Sequence, residues 1–125
     1  MSAKSDKKNY NVESGGVKYD AGKVPLDLLP MDALVEVGEI LKFGAEKYAP
    51  YNWARGMLYS RLIAACMRHV FSFNKGEDND PETGRSHIAH ALCCLLFLME
   101  YETKKNEYKQ FDDRFDWTTK KAKNA

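Results

Sequence analysis

Ser86-His-Ile-Ala-His-Ala-Leu-Cys-Cys-Leu-Leu-Phe-Leu-Met99 is the stretch that decides the fold. From Ile88 to Met99 it is strongly apolar, yet a bilayer-spanning helix needs about 20 such residues and this run is too short. It therefore reads as the central helix of a core, with more amphipathic helices packed around it.

Working outward, Asp80-Pro81-Glu82 has the form of a helix start: a capping aspartate, proline in the first turn and an acid at the positive helix end. The third helix is thus predicted from there to about Glu107, with Gly84 kinking or delaying it. A turn at Lys75–Asn79 precedes it. A second helix is predicted from Ser60, as N-cap, to about Asn74. A first is predicted from near Pro30 to about Tyr48, ended by Ala49-Pro50. Lys18–Leu29 and Tyr51–Tyr59 read as loops. No repeat and no strand is visible. The expected fold class is all-α, a small helical bundle of three main helices plus a C-terminal segment. Three helices in a chain of 125 residues give a thin core, so completion by homo-oligomerisation is expected. The predicted organisation is a flexible arm over 1–16, a helical domain over 17–107 and a tail over 108–125. Phe111, Phe115 and Trp117 in that tail pack as a short helix or hook onto a neighbour.

Hydrophobic residues make up 44% and charged residues 30%, and the net charge is only +1. That balance lacks the basic stripe of a nucleic-acid binder and the polybasic patch of a membrane-surface protein, so neither partner is expected. Cys66, Cys93 and Cys94 sit in apolar helical runs and are predicted to be reduced, buried thiols. The polar start of the chain has no apolar leader, and a cytoplasmic location is expected.

The first helix carries Glu36 and Glu39 within an apolar stripe that includes Val35, Ile40 and Phe43, and Glu46 extends the stripe. Acids on a helix are usually its solvated edge, but the apolar flanks argue for a task. Two carboxylates one turn apart can hold a hard divalent ion such as Mg²⁺. His87 and His90 are likewise one turn apart. They suit metal or phosphate contact, or are simply hydrogen-bonded core groups. Asp80 is favoured for capping and solvation, whereas Glu82 is the better ligand candidate of the acidic turn. Arg61, Arg68 and Lys75 share a stripe on the second helix, and His69 is expected to be at least half buried. Lys18, Asp20 and Lys23 around Gly22 could cradle phosphate oxygens, though they form no P-loop. Asn52-Trp53 offers an amide for a base edge and an indole for stacking, or else a tryptophan anchor for the loop.

Taken together, Lys18-Tyr-Asp-Ala-Gly-Lys23, Leu28-Leu-Pro30, Phe43-Gly-Ala-Glu-Lys-Tyr48, Tyr51-Asn-Trp53, Arg68-His69 and Gly76-Glu-Asp-Asn-Asp-Pro-Glu-Thr-Gly84 with His87-Ile-Ala-His90 resemble a family common in phages. It is the dATP/dGTP diphosphohydrolase (MazZ-like) domain family, related to the MazG-type all-α NTP pyrophosphohydrolases. The resemblance covers about Gly16 to Glu102. It implies a dimerising helical bundle that cleaves a nucleoside triphosphate, purine deoxynucleotides favoured, into monophosphate and pyrophosphate. It also implies a host-cytoplasmic location for a phage-encoded chain. Glu36 and Glu39 match the family's first Glu-x-x-Glu. Where the family carries Glu-x-x-Asp, this chain has His87-x-x-His90, and the spacing between the two motifs is longer. Imidazoles there would favour Mn²⁺ over Mg²⁺. The roles implied are metal ligands Glu36, Glu39, Glu82, His87 and His90, and catalytic carboxylates Glu36, Glu39 and Glu46, with Glu46 or Glu82 as general base. Substrate contacts are expected from Lys18, Asp20, Lys23, Lys47, Asn52, Trp53, Arg68 and His69, in a dimer or tetramer. The alternative is a protein that binds and sequesters a nucleotide without cleaving it.

Overall fold

A computed structural model of the chain describes residues 15–124. Most of the predicted arm lies outside them. The chain divides between Pro30 and Met31 into two units. In the first, the Lys23 N–H donates to the Asp20 carbonyl at 3.1 Å. Gly22 supplies the left-handed backbone of that turn (φ +79°). Lys18, Asp20 and Lys23 therefore lie on or beside one tight turn, which a single 3-10 turn at Leu26–Leu28 follows.

The second unit begins with α1, Met31–Lys47. Pro30 precedes it, Asp32 lies in its first turn and Lys47 in its last, each charge suiting the helix end it occupies. A 3-10 turn at Asn52–Arg55 leads into α2, Tyr59–Asn74. The central helix, α3, runs over His87–Thr103. It packs against both α1 and α2. His69, late in α2, meets His87 at the start of α3. Tyr59 and Leu62, early in α2, share a cluster with Tyr101, late in α3. The two helices are therefore antiparallel.

Two clusters make the core. Val37 and Ile40 of α1 bury against Ala89 and Cys93 of α3. Tyr59, Leu62, Tyr101 and Tyr108 form the other, with Trp53 and Phe111 packed on it. Each large apolar side chain fully removed from water contributes about 1.5–3 kcal/mol. Tyr101 is wholly buried. Its hydroxyl, pushed up to about 12 by that burial, donates to the Trp53 carbonyl at 2.6 Å. Tyr108 donates to the Ala54 carbonyl at 2.8 Å. Two buried tyrosines thus pin the Asn52–Arg55 turn. Gly56 follows it at φ +94°, with the Phe111 ring so close that a Cβ would fall 2.1 Å from it.

Three expectations need correction. The third helix starts at His87, not at Asp80-Pro81-Glu82, and ends at Thr103 rather than about Glu107. Ser86 is its cap, accepting from the N–H groups of Ile88 and Ala89 at 3.0 and 3.3 Å. Gly84 adopts φ +70°, which no helix accommodates. Ser60 is not the cap of α2. Leu58 holds that position without a side-chain cap bond, and Ser60 N–H and Oγ both donate to the Asp113 carboxylate, at 2.8 and 2.5 Å. Strands also exist. After α4 (Lys105–Tyr108) and a 3-10 turn at Lys109–Phe111, β1 (Phe115–Asp116) pairs antiparallel with β2 (Lys121–Ala122). Asp116 tightens that hairpin by accepting from the N–H groups of Thr118 and Thr119 at 2.8 and 3.2 Å.

Among the described residues, no helix is long and apolar enough to cross a membrane.

Candidate functional site

The site is organised by the segment between α2 and α3. Asn79 and Ser86 pair as an isolated antiparallel bridge. The Asp80 N–H donates to the Arg85 carbonyl at 2.8 Å, and the Gly84 N–H donates back to the Asp80 carbonyl at 2.7 Å. The His87 N–H then donates to the Asp78 carbonyl at 2.9 Å. These bonds satisfy the backbone groups that a loop would otherwise leave open. They also explain why Asp80-Pro-Glu does not start a helix. Asp80 Oδ1 does accept from the Glu82 and Thr83 N–H groups, at 2.7 and 3.4 Å, but as an Asx turn.

The clamped loop sends side chains in two directions. Toward α2 and α3 lie the imidazoles. His87 is buried, and its Nε2 lies 2.6 Å from Glu77 Oε1. A carboxylate only accepts, so Nε2 carries the proton and a neutral His87 presents Nδ1 as a lone pair. His69 Nδ1 is 2.9 Å from that atom and 3.7 Å from Asp80 Oδ2. His90 stacks on His69, with ring centroids 4.5 Å apart and planes within 7°. His90 Nε2 meets Thr83 Oγ1 at 2.7 Å. Thr83 Oγ1 also accepts from the Arg85 N–H at 3.2 Å, so its own proton is free for His90. Burial holds His69 and His90 below the ordinary imidazole pKa, aided by the neighbouring imidazoles and, at His69, by Arg68, and opposed by Asp80 and, at His90, by Glu82. Asp80 is partly desolvated, which raises its pKa. The Glu82 and Thr83 N–H groups and the neighbouring imidazoles outweigh that, and the net shift is downward.

Toward α1 the loop presents Arg85, whose guanidinium lies 3.1 Å from Glu39 and 3.7 Å from Glu36. Lys47 reaches Glu82 at 3.3 Å. Glu39, Lys42, Phe43, Glu46, Thr83 and Arg85 line a charged depression of about 230 Å³. Beside it is a more apolar one of about 310 Å³. Ile40, Tyr48, Met57, Cys93 and Phe97 line much of it, with Asn52 on its wall and Lys47, Glu82, Thr83 and His90 among its polar groups. Phe43 and Thr83 line both depressions, so the two adjoin. Burial pushes the Cys93 and Cys94 thiols up to about 12 and about 11, so neither is a ready nucleophile. A larger depression of about 650 Å³ lies between α2, α3 and the C-terminal segment. None of the predicted site residues lines it, and two of its cations, Arg114 and Lys123, are already bound to Asp112.

Most of the predicted site residues therefore fall into two groups. Glu36, Glu39, Glu46, Lys47, Asn52 and Glu82 gather along α1 and the adjoining depressions. His69, His87 and His90 gather around Asp80. Among the described residues, the ligating atoms within 4.8 Å of one another belong to His69, Asp80 and His87. That group contains neither Glu36 nor Glu39. Arg68 is exposed on α2. Trp53 stacks on Phe97, with centroids 5.8 Å apart, and sits in the core as a loop anchor. Lys18, Asp20 and Lys23 belong to the first unit. Arg85, Thr83 and Glu77 join the site with no local sequence signal that marks them. Arg85 follows Gly84 on the loop, and only tertiary packing carries it to α1.

Residues 13–114 match the family model described as dATP/dGTP diphosphohydrolase, N-terminal. A dATP/dGTP diphosphohydrolase of Salmonella phage PMBT28 is 42% identical over 83 residues. The alignment covers 66% of this chain but 28% of that relative, so the chain spans less than a third of the relative's length. No solved structure matches.

Proposed function

The chain belongs to the dATP/dGTP diphosphohydrolase N-terminal family, and from that premise we propose that it hydrolyses a purine deoxynucleoside triphosphate to monophosphate and pyrophosphate. One observation carries the reading beyond the family: an apolar slot adjoins a charged one, sharing Phe43 and Thr83. A nucleotide has the same two-part chemistry, a flat base and a polyanion. In this reading the base enters the slot floored by Ile40, Met57 and Phe97, and Asn52 reads its edge. Lys42, Lys47 and Arg85 balance the phosphate charge. Arg85, held by Glu36 and Glu39 in the free protein, has a planar fork suited equally to phosphate oxygens.

Glu36, Glu39 and Glu46 offer oxygen donors only, on one helix, which fits a hard divalent ion such as Mg²⁺ or Mn²⁺. Bound there, the ion would neutralise phosphate charge and lower the pKa of a bound water. Glu46 accepts the proton of the water that attacks the α-phosphorus. The bond from that phosphorus to the bridging oxygen breaks, and pyrophosphate leaves.

The test is purified protein with dATP or dGTP and either ion, followed by phosphorus NMR. Monophosphate and pyrophosphate are expected, with Glu39→Gln lowering the rate about a hundredfold or more. Inorganic triphosphate or single phosphate as product would refute cleavage between the α and β phosphates. Nucleotide bound tightly but recovered intact would favour sequestration.

We also propose a homo-oligomer. Ile88, Leu95 and Met99 of α3 and Met67, Val70 and Phe71 of α2 are exposed. A second copy of this chain would bury them.

A further inference from the structure

We propose that His69, Asp80 and His87 bind one borderline transition-metal ion, of which Zn²⁺ is the type, at a centre separate from the acidic stripe of α1. All three histidines of the chain converge on one loop, which no helical frame requires.

Their donor atoms are already set out for a cation. Glu77 Oε1 accepts a hydrogen bond from the Nε2–H of His87, which leaves the bare Nδ1 facing His69. This carboxylate–imidazole pairing fixes the tautomer of many metal-binding histidines. Asp80 spends Oδ1 on two backbone N–H groups, which leaves Oδ2 toward His69. His69 Nδ1 stands between the two, at 2.9 Å from His87 Nδ1 and 3.7 Å from Asp80 Oδ2. Ligands around a tetrahedral zinc ion with bonds near 2 Å lie about 3.3 Å apart; these two separations bracket that value, and all three donor atoms lie within 4.8 Å of one another.

Without an ion, His69 must donate its Nδ1 proton to His87 to make the 2.9 Å contact. To accept an ion, His69 only moves that proton to Nε2 and stays neutral. Two nitrogens and one oxygen favour zinc, manganese or cobalt over magnesium. Three protein ligands leave a fourth position for water or a phosphate oxygen. His90 supports the centre from its second side, stacked on His69 and anchored by Thr83. It acts as a positioning residue.

The proposal does not depend on nucleotide hydrolysis and can be tested without substrate. Untagged, metal-stripped full chain is titrated with Zn²⁺ by calorimetry and with Co²⁺ by visible absorption. About one tightly bound ion per chain is expected, with the d–d bands of nitrogen and oxygen ligation. His69→Gln and Asp80→Asn should weaken binding at least about tenfold, and Glu77→Gln by about 10- to 100-fold. Glu36→Gln and Glu39→Gln, which supply no ligand of this centre, should change Zn²⁺ affinity far less than Asp80→Asn. Because His87 is buried, circular dichroism accompanies each variant, and Asp80→Asn, which keeps Oδ1 for its two N–H donors, decides if a histidine variant fails to fold. No Co²⁺ spectrum, affinity unchanged in folded Asp80→Asn, or a thiolate charge-transfer band from Cys66, Cys93 or Cys94 would each overturn the assignment.

Discussion

His69 and His90 stack face to face, and both are held below the ordinary imidazole value, first by burial. As the pH falls, the unfolded chain, with imidazoles near 6.5, binds protons before the folded one. The stability these neutral rings contribute is therefore full above 6.5 and is lost as the pH falls from there through their folded values. Asp80 is also shifted down, from 3.8, so its own loss falls at more acidic pH. The melting temperature of the metal-free chain should be level well above pH 6.5 and drop as the pH falls below it. Thermal circular dichroism across that series checks it, and a His90→Gln variant should show a shallower slope. Arg85 gives a second residue-scale test. Its bonds to Glu36 and Glu39 are partly exposed, and such pairs contribute less than about 1 kcal/mol. Arg85→Ala should thus melt near wild type while raising KM for the triphosphate. A KM left unchanged would remove Arg85 from the phosphate site.

At the scale of elements, the Asn52–Arg55 turn is fixed by Tyr101, Tyr108 and the Phe111 ring over Gly56. Gly56→Ala would add both a strained positive φ and a Cβ 2.1 Å from that ring. A loss on the order of 3 kcal/mol is expected, read as a lowered urea midpoint. Gly84→Ala, with φ +70° but open space around it, should cost only about 1 kcal/mol. The contrast shows what sequence can and cannot carry. The limits of α1 were legible because proline and charge at the helix ends act locally, and the end of α2 because Lys75-Gly76 is a local turn signal. The start of α3 was not, since Asp80-Pro81-Glu82 is locally a good beginning and only the Asn79–Ser86 bridge and Gly84 override it. Ser60 looked like a cap, but its hydroxyl is claimed by Asp113, far along the chain. The two-residue strands carry too few residues for any alternation to register. The site was half legible. Glu36 and Glu39 stand out on an apolar stripe, whereas the meeting of His69 with His87 needs antiparallel packing of α2 on α3.

For the whole molecule, much apolar side chain stays in water on α2 and α3. Light scattering should give a mass at least twice the 14.3 kDa of one chain. Leu95→Glu combined with Met99→Glu should shift it toward one chain if those residues face the second copy. Oligomers that survive the double substitution would move the interface elsewhere. A last consequence follows from the loop closed by Asn79 and Ser86. One short span carries Asp80 to the imidazoles, Glu82 to Lys47 and Arg85 to α1. Occupancy at either end then biases the same backbone, and linkage makes that bias mutual. For the proposed zinc and nucleotide sites, whatever factor the metal applies to nucleotide affinity, the nucleotide must apply to the metal. Calorimetric titrations in both orders should return one shared coupling factor, so the metal present in the assay would set the apparent affinity for nucleotide.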